Sequence, residues 1–142
     1  MRETSASAME AKKAAAQPQG ERPAHLLTGE RGEEAATRFL QNKGYTIIDR
    51  NVREGHCEID IVARDEDELV FAEVRTRTEN KLMAAEETVG PRKLSRLIKA
   101  GRLWVEKAGY EGFWRIDIVA VTIDGENSNK LEHFISVTEP II

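Results

Sequence analysis

The sequence contains very little cysteine and no long apolar run. A single cysteine among 142 residues excludes an intramolecular disulfide framework and a four-cysteine zinc site. No apolar run exceeds four residues, whereas a membrane span needs about 20, so the sequence predicts no transmembrane segment and no membrane partner. Because nothing indicates an oxidising compartment, we expect a cytoplasmic location.

Three common catalytic motifs are also absent. The chain has no G-x-x-x-x-G-K phosphate loop, no G-x-S-x-G nucleophile elbow and no H-E-x-x-H zinc motif. The three histidines are scattered, and His56 and Cys57 are neighbours on a segment expected to be extended. Since neighbouring side chains of a strand point to opposite faces, this pair is a poor chelator. The chemistry of the protein must therefore be sought among other residue types.

What the sequence does contain is the balance of a globular domain. Hydrophobic residues make up 40% and charged residues 32%, the formal net charge is −4, and the length argues for one domain. Residues 1–28 hold seven alanines but no valine, isoleucine, phenylalanine, tryptophan or tyrosine, so they cannot bury enough apolar area to offset the entropy of ordering. We expect a disordered tail at residues 1–28 and one domain at residues 29–142.

The hydrophobic pattern predicts two helices and five strands. Apolar residues at helical spacing predict helices over 29–43 and 91–108, the second beginning at a proline. Strands are predicted over 45–53, 58–64, 69–77, 113–123 and 131–137. Residues 78–90 show no clear period and are expected to form a loop. The order αβββαββ implies an α/β or α+β fold with helices packed on a sheet.

The second and third predicted strands carry acidic residues in apolar surroundings. Their short acidic link is compatible with a hairpin, and if Asp65 pairs with Glu68, then Asp60 lies opposite Glu73. A carboxylate on a core-type strand is unusual, because burying an unpaired charge is costly. These two acids are therefore candidate functional residues.

Regular alternation along these strands sorts their side chains into two faces. Ile59, Ile61 and Ala63 are expected to share one face of the second strand. On the third strand, Phe71 and Glu73 are expected to share a face. We expect each carboxylate to alternate with apolar neighbours that pack in the core.

Two interpretations of this pair of carboxylates are open. Neighbouring carboxylates repel each other, and the pKa of one of them rises unless a cation intervenes. That cation could be Arg75, which is expected on the same face as Glu73 and would form a structural ion pair. It could equally be a divalent metal, since carboxylate oxygens suit Mg²⁺ or Mn²⁺.

A third acid, Glu33, lies at the edge of the apolar stripe of the first predicted helix, beside Leu40. From there its side chain can lean toward the body of the protein. The ordinary interpretation is a first-turn glutamate favoured by the helix dipole, and spacing alone favours that interpretation.

The second predicted helix is strongly basic. Its single acid is Glu106, so the helix carries a net charge of +5 in a chain whose total is −4. Concentrated positive charge is typical of a surface that binds a polyanion, although a solvated helix face is the commoner meaning of such a pattern. The residues that we assign to a nucleic-acid-binding surface are Arg92, Lys93, Arg96, Lys99 and Arg102.

An ordered set of short motifs resembles the YraN-like family of uncharacterised bacterial proteins. The set opens with Gly32-Glu33-Glu34-Ala35-Ala36, Leu40 and Gly44-Tyr45. It continues with Asn51, Glu58-Ile59-Asp60, the run FAEVRTR that starts at Phe71, Lys93 and Arg115-Ile116-Asp117. The resemblance covers roughly residues 29–138, which is the whole predicted domain without the tail.

The resemblance implies a minimal restriction-endonuclease-like α/β fold, similar to archaeal Holliday-junction resolvases, with a mixed central sheet of about five strands flanked by helices. In such nucleases a helix glutamate, a strand aspartate and an acid-x-lysine triplet form a metal site. Carried over, these acids are Glu33, Asp60 and Glu73. Arg75 occupies the lysine position; arginine stays protonated, so it can stabilise phosphoryl charge but cannot act as a base. Cys57 stands where the family signature has glycine.

Three functions from different classes follow from these features. The first is a metal-dependent nuclease acting on DNA, in which Asp60, Glu73 and Glu33 bind Mg²⁺ or Mn²⁺ and Arg75 steadies the developing charge. A homodimer is one way for such a small nuclease to cut two strands. The second is a non-catalytic nucleic-acid-binding module on a nuclease-like fold. The third is a protein-interaction domain whose acidic cluster is structural.

Overall fold

The computed structural model of the chain describes residues 24–77, 89–124 and 129–138. None of the helices in these ranges is long and apolar enough to cross a membrane. The described ranges contain the helices α1 (Ala24–Asn42) and α2 (Pro91–Ala108). The strands are β1 (Thr46–Glu54), β2 (Cys57–Asp65), β3 (Glu68–Arg77), β4 (Trp114–Ile123) and β5 (Asn129–Phe134). The predicted order αβββαββ is confirmed.

Helix α1 begins earlier than the sequence pattern predicts. It starts at Ala24 rather than at residue 29, so residues 24–28 of the predicted tail belong to the helix. The physical reason is intrinsic propensity, since Ala24, Leu26 and Leu27 are good helix formers and extending an existing helix is easier than starting one. The remainder of the predicted tail, residues 1–23, and residues 78–88 of the predicted loop lie outside the described ranges.

The strands form one mixed sheet in the order β1-β2-β3-β4-β5. Neighbouring strands are antiparallel except β3 and β4, which run parallel. Parallel strands need a long crossover connection, and α2 lies in the segment that joins β3 to β4. The architecture is therefore α/β, as the sequence predicts.

A hydrophobic cluster covers each face of the sheet. On one face, Leu97 of α2 packs in a cluster with Phe71 and Trp114. On the other face, Leu40 of α1 packs in a cluster with Val119. Strand β4 lies between the two layers, and all ten of its residues are buried. The sheet is thus covered by a helix on each side.

Two glycines let the helices come close to the sheet. A Cβ added to Gly101 of α2 would lie 2.5 Å from Cζ3 of Trp114, and one added to Gly32 of α1 would overlap Oγ1 of Thr76. A larger residue at either position would have to displace the helix or its neighbour, because protein interiors are close-packed. The contact at Gly32 sets α1 directly against β3 and brings the next residue, Glu33, to the C-terminal half of that strand.

The hairpin of β2 and β3 has the predicted register. Asp65 pairs with Glu68, and the ladder continues to Ile61 opposite Ala72. The turn consists of two residues, of which Glu66 takes a positive φ of 56°. The next pair of opposing residues in this register is Asp60 and Glu73, as predicted.

The predicted alternation of β2, by contrast, is wrong at Asp60. Ile61 packs in the cluster under α1, whereas Ile59 packs in the cluster under α2, although two residues this far apart share a face in a regular strand. The neighbouring strand is irregular at the same level, because Asn51 of β1 has a positive φ of 53°. Asparagine tolerates this left-handed conformation better than most residues. Strand β2 therefore changes face at Asp60.

A buried polar network joins several elements on the α1 side of the sheet. The Arg115 guanidinium donates to Asp117 through Nε at 2.9 Å and to the Tyr45 hydroxyl at 2.8 Å. It also pairs with Asp65 at 3.2 Å and with Glu68, one on each side of the β2–β3 turn. The arginine thus neutralises the acidic end of the hairpin from inside the protein.

Asp117 accepts hydrogen bonds from several residues, and these contacts end strand β5. Because the Lys43 ammonium can only donate, Nδ1 of His133 accepts from it at 2.8 Å and the Nε2–H of His133 donates to Asp117 at 2.8 Å. The N–H of Ser136 donates to Asp117 at 2.9 Å, and Ser136 takes a positive φ of 56°. Burial would raise the pKa of Asp117, but the hydrogen bonds from His133 and Arg115 hold it below its usual value. Strand β5 consequently ends at Phe134, before the predicted residue 137.

Candidate functional site

The candidate site lies where strands β2 and β3 separate. Their described pairing ends at Ile61 opposite Ala72, one residue short of Asp60. Instead of a strand carbonyl, the Oδ2 atom of Asp60 accepts the backbone N–H of Val74 at 2.8 Å. The face change in β2 and this hydrogen bond direct the Asp60 carboxyl group into the opening between the two strands.

Glu73 lies beside Asp60 in the same opening, and its side chain is only 4% exposed. Burial and then the charge of Asp60 raise the pKa of Glu73 to about 7, whereas Lys93 and Arg75 lower it. Burial also raises the pKa of Asp60, while its hydrogen bonds with Val74 and Glu73 lower it. The hydrogen bond between the two carboxyl groups lowers the pKa of Asp60 and raises the pKa of Glu73.

Two cations approach Glu73 from different elements. Lys93 of α2 places Nζ at 3.6 Å from Oε2 of Glu73, and Arg75 of β3 places Nη1 at 3.7 Å from the same oxygen. Both cationic side chains are partly in solvent, at 37% and 45% exposed, whereas the carboxyl group is buried. The ion pair of Arg75 with Glu73 that the sequence suggests is therefore present, but Arg75 is half-exposed and shares Glu73 with Lys93.

Glu33 approaches the pair from α1. Burial and the charge of Asp60 raise the pKa of Glu33, and a hydrogen bond from the Asn51 side chain lowers it. Asn51, the residue of β1 with a left-handed backbone conformation, therefore has a second role, because its side-chain amide contacts Glu33 of α1. Of the two interpretations of Glu33, the structure favours the one in which it leans toward the body of the protein.

Two neighbouring carboxyl groups, those of Asp60 and Glu73, are the candidate ligands of a divalent cation. Within residues 24–77, 89–124 and 129–138, no three side chains of histidine, cysteine, aspartate or glutamate come together as a group that could hold a metal ion. Mg²⁺ does not require one, because it is commonly held by one or two carboxylates while waters and substrate phosphates complete its octahedron. The donor set of Asp60 and Glu73 fits such an ion, and Glu33 adds negative charge from a greater distance.

The residues predicted to form a basic surface lie on α2, whose bounds agree with the prediction. Arg92, Arg96, Lys99 and Arg102 are exposed, and in the described part of the chain none of the four has an acidic partner within 4.0 Å. Lys93 differs from them because it turns toward Glu73. Helix α2 therefore carries one cation into the carboxyl cluster and four along its outer face.

Sequence reasoning missed the contacts of Asn51 and Lys93. In the sequence Asn51 stands out only as part of a family motif, and the signal is its type, since asparagine is a poor strand former and a good left-handed residue. The sequence predicts that Lys93 contacts phosphates, but its place beside Glu73 depends on how the crossover brings α2 back over the sheet. No local pattern of the sequence encodes that approach.

Comparisons with known proteins agree with the motifs. Residues 32–121 match the uncharacterised protein family UPF0102. The chain is 41% identical over 109 residues to a UPF0102 protein of Oleidesulfovibrio alaskensis, which covers 74% of this chain and 52% of that protein. It is 43% identical over 107 residues to a UPF0102 protein of Anaeromyxobacter dehalogenans, covering 75% and 79% of the two chains.

A UPF0102 protein of Pelotomaculum thermopropionicum is 43% identical over 117 residues, which covers 78% of this chain and 94% of that protein. The match thus spans about half the length of the Oleidesulfovibrio relative and nearly all of the Pelotomaculum relative. These matches confirm the resemblance seen in the sequence motifs. The chain therefore belongs to the uncharacterised, YraN-like protein family UPF0102.

Proposed function

We propose that the protein is a metal-dependent nuclease that cleaves phosphodiester bonds of DNA. The observation that carries this proposal is the pair of neighbouring carboxyl groups, the partly buried Asp60 and the buried Glu73, at the opening between two strands. Neighbouring carboxyl groups away from solvent cost stability, and the two cations beside Glu73 are themselves partly in solvent, so a fold that keeps this pair points to a ligand. The exposed cations of α2 lie on the helix whose Lys93 contacts Glu73, and they supply attraction for a polyanion.

In this proposal each residue of the cluster has a distinct part. Asp60 and Glu73 would hold Mg²⁺ or Mn²⁺ through carboxylate oxygens, and such an ion would polarise the phosphate and make water more acidic. Lys93 and Arg75 reach the same opening and stabilise the negative charge that develops on the phosphate oxygens. Glu33, oriented by Asn51, accepts a proton from the attacking water.

The exposed face of α2 binds and positions the substrate in this proposal. Arginine and lysine side chains that lack acidic partners in the described chain are available for phosphate oxygens. Contacts with phosphates fix the register of the protein on the DNA backbone but do not distinguish one base sequence from another. DNA is the expected polymer and the cytoplasm the expected location, and a homodimer would let two such sites address two strands.

The direct test is a cleavage screen of linear and branched DNA with Mg²⁺, Mn²⁺ or EDTA. We expect metal-dependent cleavage that Asp60→Asn and Glu73→Gln reduce by at least about a hundredfold, which is the scale on which positioned charge acts in phosphoryl chemistry. Glu111→Gln is the matched control, because Glu111 is exposed and lies outside the cluster. Cleavage that survives in EDTA or in both variants would refute the assignment.

A second candidate, a nucleic-acid-binding module without nuclease activity, is favoured by the two cations near Glu73. Lys93 and Arg75 both lie within 4.0 Å of its carboxyl group and can compensate it without a metal. In that case the protein binds DNA with the strong salt dependence of phosphate contacts, and neither Mg²⁺ nor Mn²⁺ changes its stability or its substrate. The same cleavage screen, followed by a metal titration of the melting temperature, separates the two candidates.

A further inference from the structure

A cavity beside the carboxyl cluster has no part in the function proposed so far. It has a volume of about 280 Å³ and lies between the β1–β2 turn and α2. The turn contributes Glu54, Gly55, His56 and Cys57, and the helix contributes Arg96, Lys99, Ala100 and Leu103. This volume is slightly below the range of about 300–1,000 Å³ that is typical of sites for drug-sized ligands.

The cavity and the carboxyl pair are connected through β2 and α2. The buried Cys57, which lines the cavity, precedes Asp60 by three residues on β2. On α2, Lys93 beside Glu73 and Lys99 at the cavity are six residues apart, which is about 9 Å along a helix. A nucleotide in the cavity is therefore close to a phosphate at the carboxyl pair.

The lining of the cavity has the chemistry of a nucleotide site. Its floor is apolar, with buried Ala100 and Cys57 and the partly exposed Leu103. Its rim carries the exposed cationic side chains of Arg96 and Lys99, which have no acidic partner within 4.0 Å in the described residues. An apolar floor under a cationic rim suits a flat aromatic ligand that bears a phosphate, rather than a peptide or a lipid chain.

The remaining walls can hold the faces and the edge of a base. The His56 imidazole is exposed at the turn, and the Arg96 guanidinium lies across the cavity on α2. Unstacked bases commonly stack on histidine rings or arginine planes. The Glu54 carboxylate, 8% exposed and neutralised by Lys107 at 2.9 Å, faces the same space and can accept from a base amino group.

We propose that this cavity receives one unpaired base of the nucleic acid, so that the protein selects substrates with an unpaired nucleotide beside the cleaved bond. This inference rests on the proposed function and narrows its substrate class. A continuous duplex keeps its bases stacked and presents only phosphates to α2. An unpaired nucleotide offers a base to the cavity at little unpairing cost.

The test compares the affinities of the full-length protein for three short DNAs with EDTA present. One is a continuous duplex, one has a single unpaired nucleotide at its centre, and one has the same extra position without a base. We expect the unpaired nucleotide to bind about tenfold more tightly than the duplex, as one stacked base contributes. The abasic bulge should bind like the duplex.

Two variants link the preference to the cavity. Leu103→Phe fills it from a partly exposed position, and His56→Ala removes the exposed ring, so each should reduce the preference for the unpaired nucleotide to near unity. Ala108→Phe adds the same aromatic bulk at an exposed position outside the cavity and should keep the preference of the wild type.

Each outcome decides between the proposals. Equal affinity for all three DNAs, or equal affinity for the bulges with and without a base, overturns the cavity assignment and leaves the proposed nuclease function standing. Failure of the wild type to bind any of the three DNAs overturns both. A preference that survives in Leu103→Phe and His56→Ala places the unpaired base elsewhere on the protein and refutes this cavity.

Discussion

Asp60 combines three roles at the scale of a single residue. It marks the point where β2 changes face, it accepts the N–H of Val74, and its carboxyl group hydrogen-bonds with that of Glu73. The first two roles need an oxygen acceptor in this place, whereas a metal site needs a negative charge. Asparagine keeps the acceptor and removes the charge, so this substitution separates structure from function.

We expect Asp60→Asn to leave the metal-free protein as stable as the wild type or more stable, because it removes one charge from a repelling cluster. The wild type should gain stability from excess Mn²⁺, about 2.7 kcal/mol at one hundred times Kd, and the variant should gain none. Thermal melts of both proteins in EDTA and in Mn²⁺ measure these changes.

Asp67→Asn is the matched control, since Asp67 is exposed in the β2–β3 turn and should respond to Mn²⁺ like the wild type. If Asp60 were instead one half of a required ion pair, its loss would cost about 3–5 kcal/mol in EDTA. That loss of stability, together with no response of the wild type to metal, would refute the metal-site assignment.

The raised pKa of Glu73 predicts how stability depends on pH in the metal-free protein. Because the pKa is about 7 in the folded protein and ordinarily 4.5, the folded state holds the proton more tightly. This contribution to stability is full below about pH 4.5 and is lost as the pH rises through about 7. Its upper bound is about 3 kcal/mol.

Glu73→Gln, which cannot ionise, should flatten this part of the pH profile. Urea unfolding of both proteins in EDTA at intervals between pH 4.5 and pH 8 isolates the effect as the difference between the two curves. Parallel curves would mean that Lys93 and Arg75 keep Glu73 ionised in the folded state, contrary to its raised pKa.

At the scale of elements, α2 has a packing face and a binding face. Gly101 presses the first face against Trp114, while Arg96 and Lys99 stand on the second. The two faces are nearly independent, because exposed surface substitutions usually change stability by less than about 0.5 kcal/mol. Charge reversal on the binding face should therefore alter binding without unfolding the protein.

We expect the double variant Arg96→Glu and Lys99→Glu to weaken DNA binding and to reduce the log–log salt slope by about 0.9 for each phosphate that the protein no longer neutralises. Fluorescence anisotropy across a salt series gives both quantities. The matched control is Arg64→Glu with Lys130→Glu, which reverses two exposed cations on β2 and β5. An unchanged slope in the first variant would favour the protein-interaction hypothesis.

Helix α2 and the β2–β3 hairpin show which structural features could be predicted from the sequence alone. The bounds of α2 could be predicted because a proline opens the helix and Gly109, with a positive φ of 66°, closes it. The β2–β3 register could be predicted because a short turn fixes it. The face change at Asp60 could not, since it depends on Asn51 in another strand and on the N–H of Val74.

At the scale of the molecule, Arg115 ties the acidic hairpin end to β4 and to Tyr45 after α1. Burial lowers the pKa of Arg115, and its hydrogen bond and charge interaction with Asp117 more than offset this, so that the net shift is upward. Removing the Arg115 cation therefore leaves the buried carboxylate of Asp117 without its cationic partner.

We expect Arg115→Met to destabilise the protein by about 3–5 kcal/mol, because the fully buried Asp117 then lacks its cation. Adding Asp117→Asn to the same chain should recover part of the loss, since it removes the uncompensated charge. Urea unfolding at pH 7 measures both. Additive losses in the double variant would show that the two residues stabilise the protein independently.

The parallel pairing of β3 with β4 has a consequence for synthesis of the chain. Strands β1 to β3 can pair as soon as they leave the ribosome, but β4 follows only after α2. Until then β3 is an open edge, and its apolar run from Leu69 to Ala72 can pair with another nascent chain. At about 5–20 residues per second, β4 arrives after roughly a few seconds. Rapid translation of this stretch, or a chaperone that covers the edge, therefore favours a high yield of folded protein.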